Sequence, residues 1–199
     1  MKTAAKLAKI PPYLFMELRK KINKAKAEGI DVISLAIGDP VEATPDSVID
    51  ELCATSRDPL NHRYPTDEEK GMLAFRKEVA KWYETRFGVT LNPENEILGL
   101  IGSKEGCHHF IIARVNPDDI VLMTDPGYPA YRSSILLGGG VPYNVPILPQ
   151  NNYLPVFEDI PTDIAKKATA MFLNYPNNPT GACATLEFLD KLVEFARTY

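Results

Sequence analysis

Alternation constrains this chain most. Stretches with apolar residues every three or four positions take turns with short, unbroken apolar runs, and that order suits helices packed over a sheet better than a bundle or a sandwich. Residues 13–28 carry Leu14, Leu18, Ile22 and Ala25 at helical spacing and stop at Gly29. The run 31–37 reads as a strand, and Pro45 opens a short helix to about Thr55. After a polar loop over 56–66, Met72, Phe75, Val79 and Trp82 mark a helix that Gly88 closes. Residues 97–101 read as a strand, with Ser103 placed to cap a helix that ends near Val115. A strand over 120–124, a helix to Leu137 capped by the glycines 138–140, a strand over 141–147, a short helix over 160–167, a strand over 168–173 and a helix over 184–199 complete the series. The expected fold class is α/β: a mostly parallel sheet flanked by helices. Residues 1–45 are expected to form an N-terminal arm and small-lobe segment, and 46–199 a large domain.

Composition excludes several functions. A net charge of −4 over 199 residues leaves no electrostatic footprint for nucleic acid. The lysines and arginines near the start alternate with apolar positions, so they belong to the wet face of an amphipathic helix. No apolar stretch is long enough for a membrane span or a leader's hydrophobic core. Three isolated cysteines, Cys53, Cys107 and Cys183, fit reduced thiols in a cytoplasmic setting. The three histidines match no metal-ligand spacing.

Two loops look built for a ligand. Gly102-Ser103-Lys104-Glu105-Gly106 follows an apolar run and opens a helix, where free N–H groups, a hydroxyl and an ammonium suit a phosphate. It is neither a Walker A loop nor a dinucleotide fingerprint. Asn174-Tyr175-Pro176-Asn177-Asn178-Pro179-Thr180-Gly181 lies between an apolar run and a helix, with two prolines to fix the backbone and three side-chain amides to donate and accept. Tyr128, in Asp-Pro-Gly-Tyr-Pro, offers a flat face where open α/β sheets place ligands. Tyr64 and the turn Gly38-Asp39-Pro40 mean little alone.

The order of these landmarks, together with Tyr64-Pro65 and Gly71 through Arg76, resembles the pyridoxal-phosphate aminotransferases of class I/II, fold type I. Within that family, Ile10-Pro11-Pro12-Tyr13-Leu14-Phe15 and Gly-Ser-Lys-Glu-Gly are most similar to the LL-diaminopimelate aminotransferases. The resemblance implies that Ser103 and Lys104 hold the cofactor phosphate, Tyr128 stacks on the pyridine ring and Asn178 donates to its phenolic oxygen. It implies that Tyr64 reaches the phosphate in the partner of a homodimer. Tyr13, Gly38, Lys104, Tyr128 and Asn178 would border the substrate, and Asn178-Pro179 would be cis. The implied reaction is transamination between an amino acid of acidic or diaminopimelate type and a 2-oxo acid. A carbon–sulfur lyase of the same fold and a short, non-catalytic phosphate-binding relative are the alternatives. None of the lysines stands in the family's Ser-x-Ser/Ala-Lys context, so the Schiff-base lysine is expected beyond Tyr199. On that reading the sequence is an N-terminal portion, with the C-terminal half absent, and inactive alone.

Overall fold

A computed structural model of the chain describes residues 2–11, 14–35, 38, 41–64 and 72–199. They form two compact units, Pro12–Leu100 and a second made of Met1–Pro11 with Ile101–Tyr199.

The second unit is organised by a parallel sheet in the order β2-β1-β3, with β1 Ile120–Asp125, β2 Val141–Pro146 and β3 Ala168–Phe172. Central β1 is apolar on both faces, as a parallel strand covered on two sides must be. Val121 and Met123 face a cluster with Ile111 of α4 (Ser103–Arg114), its C-cap residue Val115, and Tyr131 and Ile135 of α5 (Pro129–Gly138). On the opposite face Leu122 packs with Val145, Ile160 and Ala165 of α6 (Thr162–Lys167), and with Phe195 of α7 (Leu186–Thr198). Stacking of Phe157 on Phe188 and Phe195, with centroids 5.5 and 4.9 Å apart, fastens α7 there. Residues Ala5–Lys9 form a 3-10 turn in this unit, and the Lys6 ammonium donates to the Leu137 carbonyl (3.1 Å).

The other unit holds α1 (Leu14–Ala27), α2 (Asp46–Thr55) and α3 (Leu73–Phe87). Gly88, left-handed at φ +66°, ends α3 as its sequence requires. The Arg76 guanidinium is buried and donates to the Pro93 carbonyl. Trp82, Tyr83 and Phe87 meet edge to face or tilted, with centroids 5.1–5.5 Å apart.

The parallel α/β class and every expected helix are present, but two expected strands are not. Residues 31–35, the described part of the 31–37 run, and residues 97–101 join no β-ladder among the described residues, and Leu35 and Ile101 are 95% and 93% exposed. Alternation and apolarity identify a segment able to be a strand, whereas becoming one takes a neighbour's N–H and C=O groups. Among the described residues no strand pairs with either run. These units also divide the chain elsewhere than at residue 45. Among the described residues no helix is long and apolar enough to cross a membrane.

Candidate cofactor and substrate site

Because the sheet is parallel, the segments that leave β1 and β3 emerge at one end, where such sheets place ligands. Tyr128 stands three residues past β1, at the N-cap position of α5. Gly127 makes this turn possible, since a Cβ there would lie 2.4 Å from the Thr124 carbonyl oxygen. The base of the turn is tied down by side chains. Arg132 donates to the Asn144 amide oxygen (2.5 Å), and the Asn144 amide nitrogen donates to Asp125 (2.8 Å).

Tyr131 is the hub beneath the site. It meets Tyr128 edge to face at 5.5 Å and lies parallel to Phe172, the last residue of β3, at 4.6 Å. Burial raises its phenol pKa, as it raises that of the neighbouring Cys107 thiol, so both stay protonated and serve as packing groups. Cys107 of α4 packs on the same cluster, which brings the start of α4 to the end of the sheet where Tyr128 stands.

Helix α4 opens without a side-chain cap. Its N-cap is Gly102, left-handed at φ +84°, and Ser103 is the first helical residue rather than the expected cap. The reason is geometric: Gly102 has no Cβ to oppose a positive φ, so the turn falls there and the hydroxyl moves inside the helix. The N–H groups of Ser103, Lys104 and Glu105 therefore lack acceptors among the described residues, as first-turn donors do when nothing caps them. The Ser103 hydroxyl and the Lys104 ammonium are exposed beside them. Such a donor set suits a dianion.

The 174–181 loop uses most of its polar groups on itself. Asn177, 4% exposed, donates from its amide to the Thr180 hydroxyl (2.8 Å), while its backbone exchanges bonds with Ala182 and Gly181, both 2.7 Å. The Asn174 amide donates to the Pro176 carbonyl (2.8 Å). The Tyr175 hydroxyl donates to the Tyr153 carbonyl (2.8 Å), and burial pushes its pKa up to about 12. Asn178 alone of the three amides is exposed and makes no hydrogen bond among the described residues. Asn178-Pro179 is cis, as the resemblance implied.

The structure thus places Ser103, Lys104, Tyr128 and Asn178 in one unit, with Tyr128 packed on the cluster of Tyr131 and Phe172. Tyr64 (88% exposed) and Gly38 belong to the other unit, and Tyr13 and the 65–71 landmarks lie outside the described residues. Sequence reasoning missed Tyr131, although it sits one helical turn after Tyr128, and it missed Asn144, whose partners are distant in sequence.

The model of class I and II aminotransferases matches residues 30–199. The chain belongs to that family. Among curated relatives, it is 51% identical over 199 residues to the LL-diaminopimelate aminotransferase of Moorella thermoacetica, and 49% identical to that of Halothermothrix orenii. Those matches cover all of this chain and 50% and 51% of the relatives, so the chain spans about half their length. Among solved structures, BacF from Bacillus subtilis superposes with a TM-score of 0.91 at 36% identity, over all of this chain and 50% of that one. An aminotransferase from Staphylococcus aureus does so at 0.84 and 32%, over 96% of this chain and 48% of that one. The fold is that of the fold type I aminotransferases, a family that works with pyridoxal phosphate. The free donors of α4, the aromatic face of Tyr128 and the unspent Asn178 amide match in kind the phosphate, ring and phenolic oxygen of that cofactor.

Proposed function

We propose that this chain supplies the phosphate- and ring-binding part of a pyridoxal-phosphate aminotransferase, which transfers an amino group between an acidic or diaminopimelate-type amino acid and a 2-oxo acid. The observation that carries the reading is the pairing of an uncapped α4 start with a loop that leaves one amide free. When bound, the cofactor supplies an electron sink for bond breaking at the substrate's α-carbon.

The protein's part is to bind and orient. The first-turn N–H groups of α4 and the Ser103 hydroxyl hold the phosphate, with the helix dipole favouring its charge. Tyr128, backed edge-on by Tyr131, fixes the plane of the ring. Asn178 donates its amide to the phenolic oxygen and stabilises negative charge there. Lys104, Gly38 and Tyr13 border the substrate, with the Lys104 ammonium available to a distal carboxylate. Tyr64 reaches the partner's phosphate in a homodimer, in the cytoplasm. In the whole protein, residues 1–45 serve as arm and small-lobe segment and 46–199 as part of the large domain. The lysine that bonds the cofactor and moves the proton is supplied from outside these 199 residues, so the 199 residues alone do not turn over.

The test is intact mass of the protein from its native source after pyridoxal phosphate and borohydride, with assay of LL-diaminopimelate and a 2-oxo acid. One reduced adduct on a lysine outside residues 1–199, with amino transfer, is expected. No stoichiometric adduct and no transfer would overturn the reading.

A further inference from the structure

The start of α4 contains one acidic residue, and its position is at first sight wrong for a phosphate site. Glu105 is third in the helix, where a carboxylate ordinarily turns back to cap the first turn. Lying over the free N–H groups, it would compete with a dianion for them and repel it. It does not lie there. One Glu105 oxygen accepts from the Ile101 N–H, the residue before the Gly102 N-cap, and the other stands 3.8 Å from the His109 Nδ1 one turn along. The carboxylate thus reaches past the N-cap and ties the incoming arm of the turn, leaving the N–H groups of Ser103, Lys104 and Glu105 open.

We propose that Glu105 is a positioning residue for the phosphate cradle: by accepting from Ile101 it holds the Ile101–Ser103 turn in the shape that aims the first-turn donors outward. The proposal rests on the reading of α4 as the phosphate site. It depends on the acceptor oxygen and the reach of the side chain, and not on the negative charge. Gly102 makes the tie necessary. With φ at +84° and no side chain it has no cap of its own to set the turn, so the constraint must come from the other side.

The acceptor and the charge can be separated by substitution in the full-length protein. Glu105→Gln keeps an acceptor of the same reach and removes the charge. Glu105→Asp keeps the charge but is one methylene too short, and Glu105→Ala removes both. The probes are pyridoxamine phosphate and pyridoxamine, which bind without a covalent link, followed by calorimetry with a thermal melt on each variant. The wild type is expected to prefer the phosphorylated probe. Ala and Asp are each expected to weaken that probe about tenfold, the scale of one well-placed hydrogen bond, with pyridoxamine unchanged. Gln is expected to stay within about twofold of wild type. The proposal fails if Ala and Asp bind the phosphorylated probe like wild type, if Gln is as weak as Ala, or if both probes weaken equally. A wild type with no preference for the phosphorylated probe would instead bring down the phosphate reading of α4, and this inference with it.

Discussion

The two units use the same kinds of residue to different ends. In the unit holding the sheet, Val121, Leu122, Ile111 and Ile135 are at most 1% exposed and form a packed core, although Ile112 and Leu186 on its surface stay exposed. In the unit spanning Pro12–Leu100, Arg76 is the buried residue among those described, while Phe75, Trp82, Phe87 and Leu52 remain exposed. Helix α3 and its N-cap repeat Met72, Phe75, Val79 and Trp82 at helical spacing and still build no core among the described residues. Periodicity states which face a helix will bury once something covers it; cover requires a second apolar layer, and β1 is what supplies one in the other unit.

The sharpest way to break that contrast is a matched pair of truncations. Ile135→Ala should cost about 2–5 kcal/mol in denaturant unfolding, through lost burial and a residual cavity. Trp82→Ala, at a residue 55% exposed, should cost about 1 kcal/mol or less. Equal costs would show that α3 is covered in solution. Next in size, Gly127→Ala should cost about 1–3 kcal/mol, because the new Cβ meets backbone and not a yielding side chain. Its unfolding midpoint should drop, and the near-ultraviolet circular dichroism of Tyr128 should change with it.

The loop offers a smaller contrast. Asn177→Ala should cost about 1–3 kcal/mol, since it strips the Thr180 hydroxyl of a buried partner. Asn178→Ala should leave stability within about 0.5 kcal/mol, as its amide holds nothing in the loop. A large cost at Asn178 would mean that its amide serves the fold. The effect at Tyr175 is confined to alkaline pH. Its folded pKa of about 12 lies above the ordinary tyrosine value, so its share of stability is complete below about pH 10 and is lost as pH rises through 12. Tyr175→Phe should flatten that alkaline decline in a series of thermal melts.

Much of this was legible in the sequence, for reasons particular residues make plain. The run 120–124 was readable because residues 120–123 are apolar without interruption and both its neighbours lie within the chain. The runs 31–35 and 97–101 carry a similar signal and join no β-ladder among the described residues, so sequence could state their capacity and not their outcome. At the site, local chemistry was visible and long-range chemistry was not. Gly-Ser-Lys at a helix start advertises an anion site, although the cap moved by one residue because Gly102 accepts a backbone that serine resists. The Arg132–Asn144–Asp125 tie joins residues 12 and 19 positions apart, and only the register of β1 with β2 brings them together.

An open helix start also makes α4 a gauge of its own occupancy. Amide protons of Ser103, Lys104 and Glu105 have no acceptor among the described residues, so they exchange with solvent at nearly the rate of an unfolded segment. An anion seated there converts the same three protons into the slowest of the loop, and by linkage raises the midpoint at which the whole helix melts. For this chain, the speed of deuterium uptake at three consecutive residues reads directly whether the site is filled.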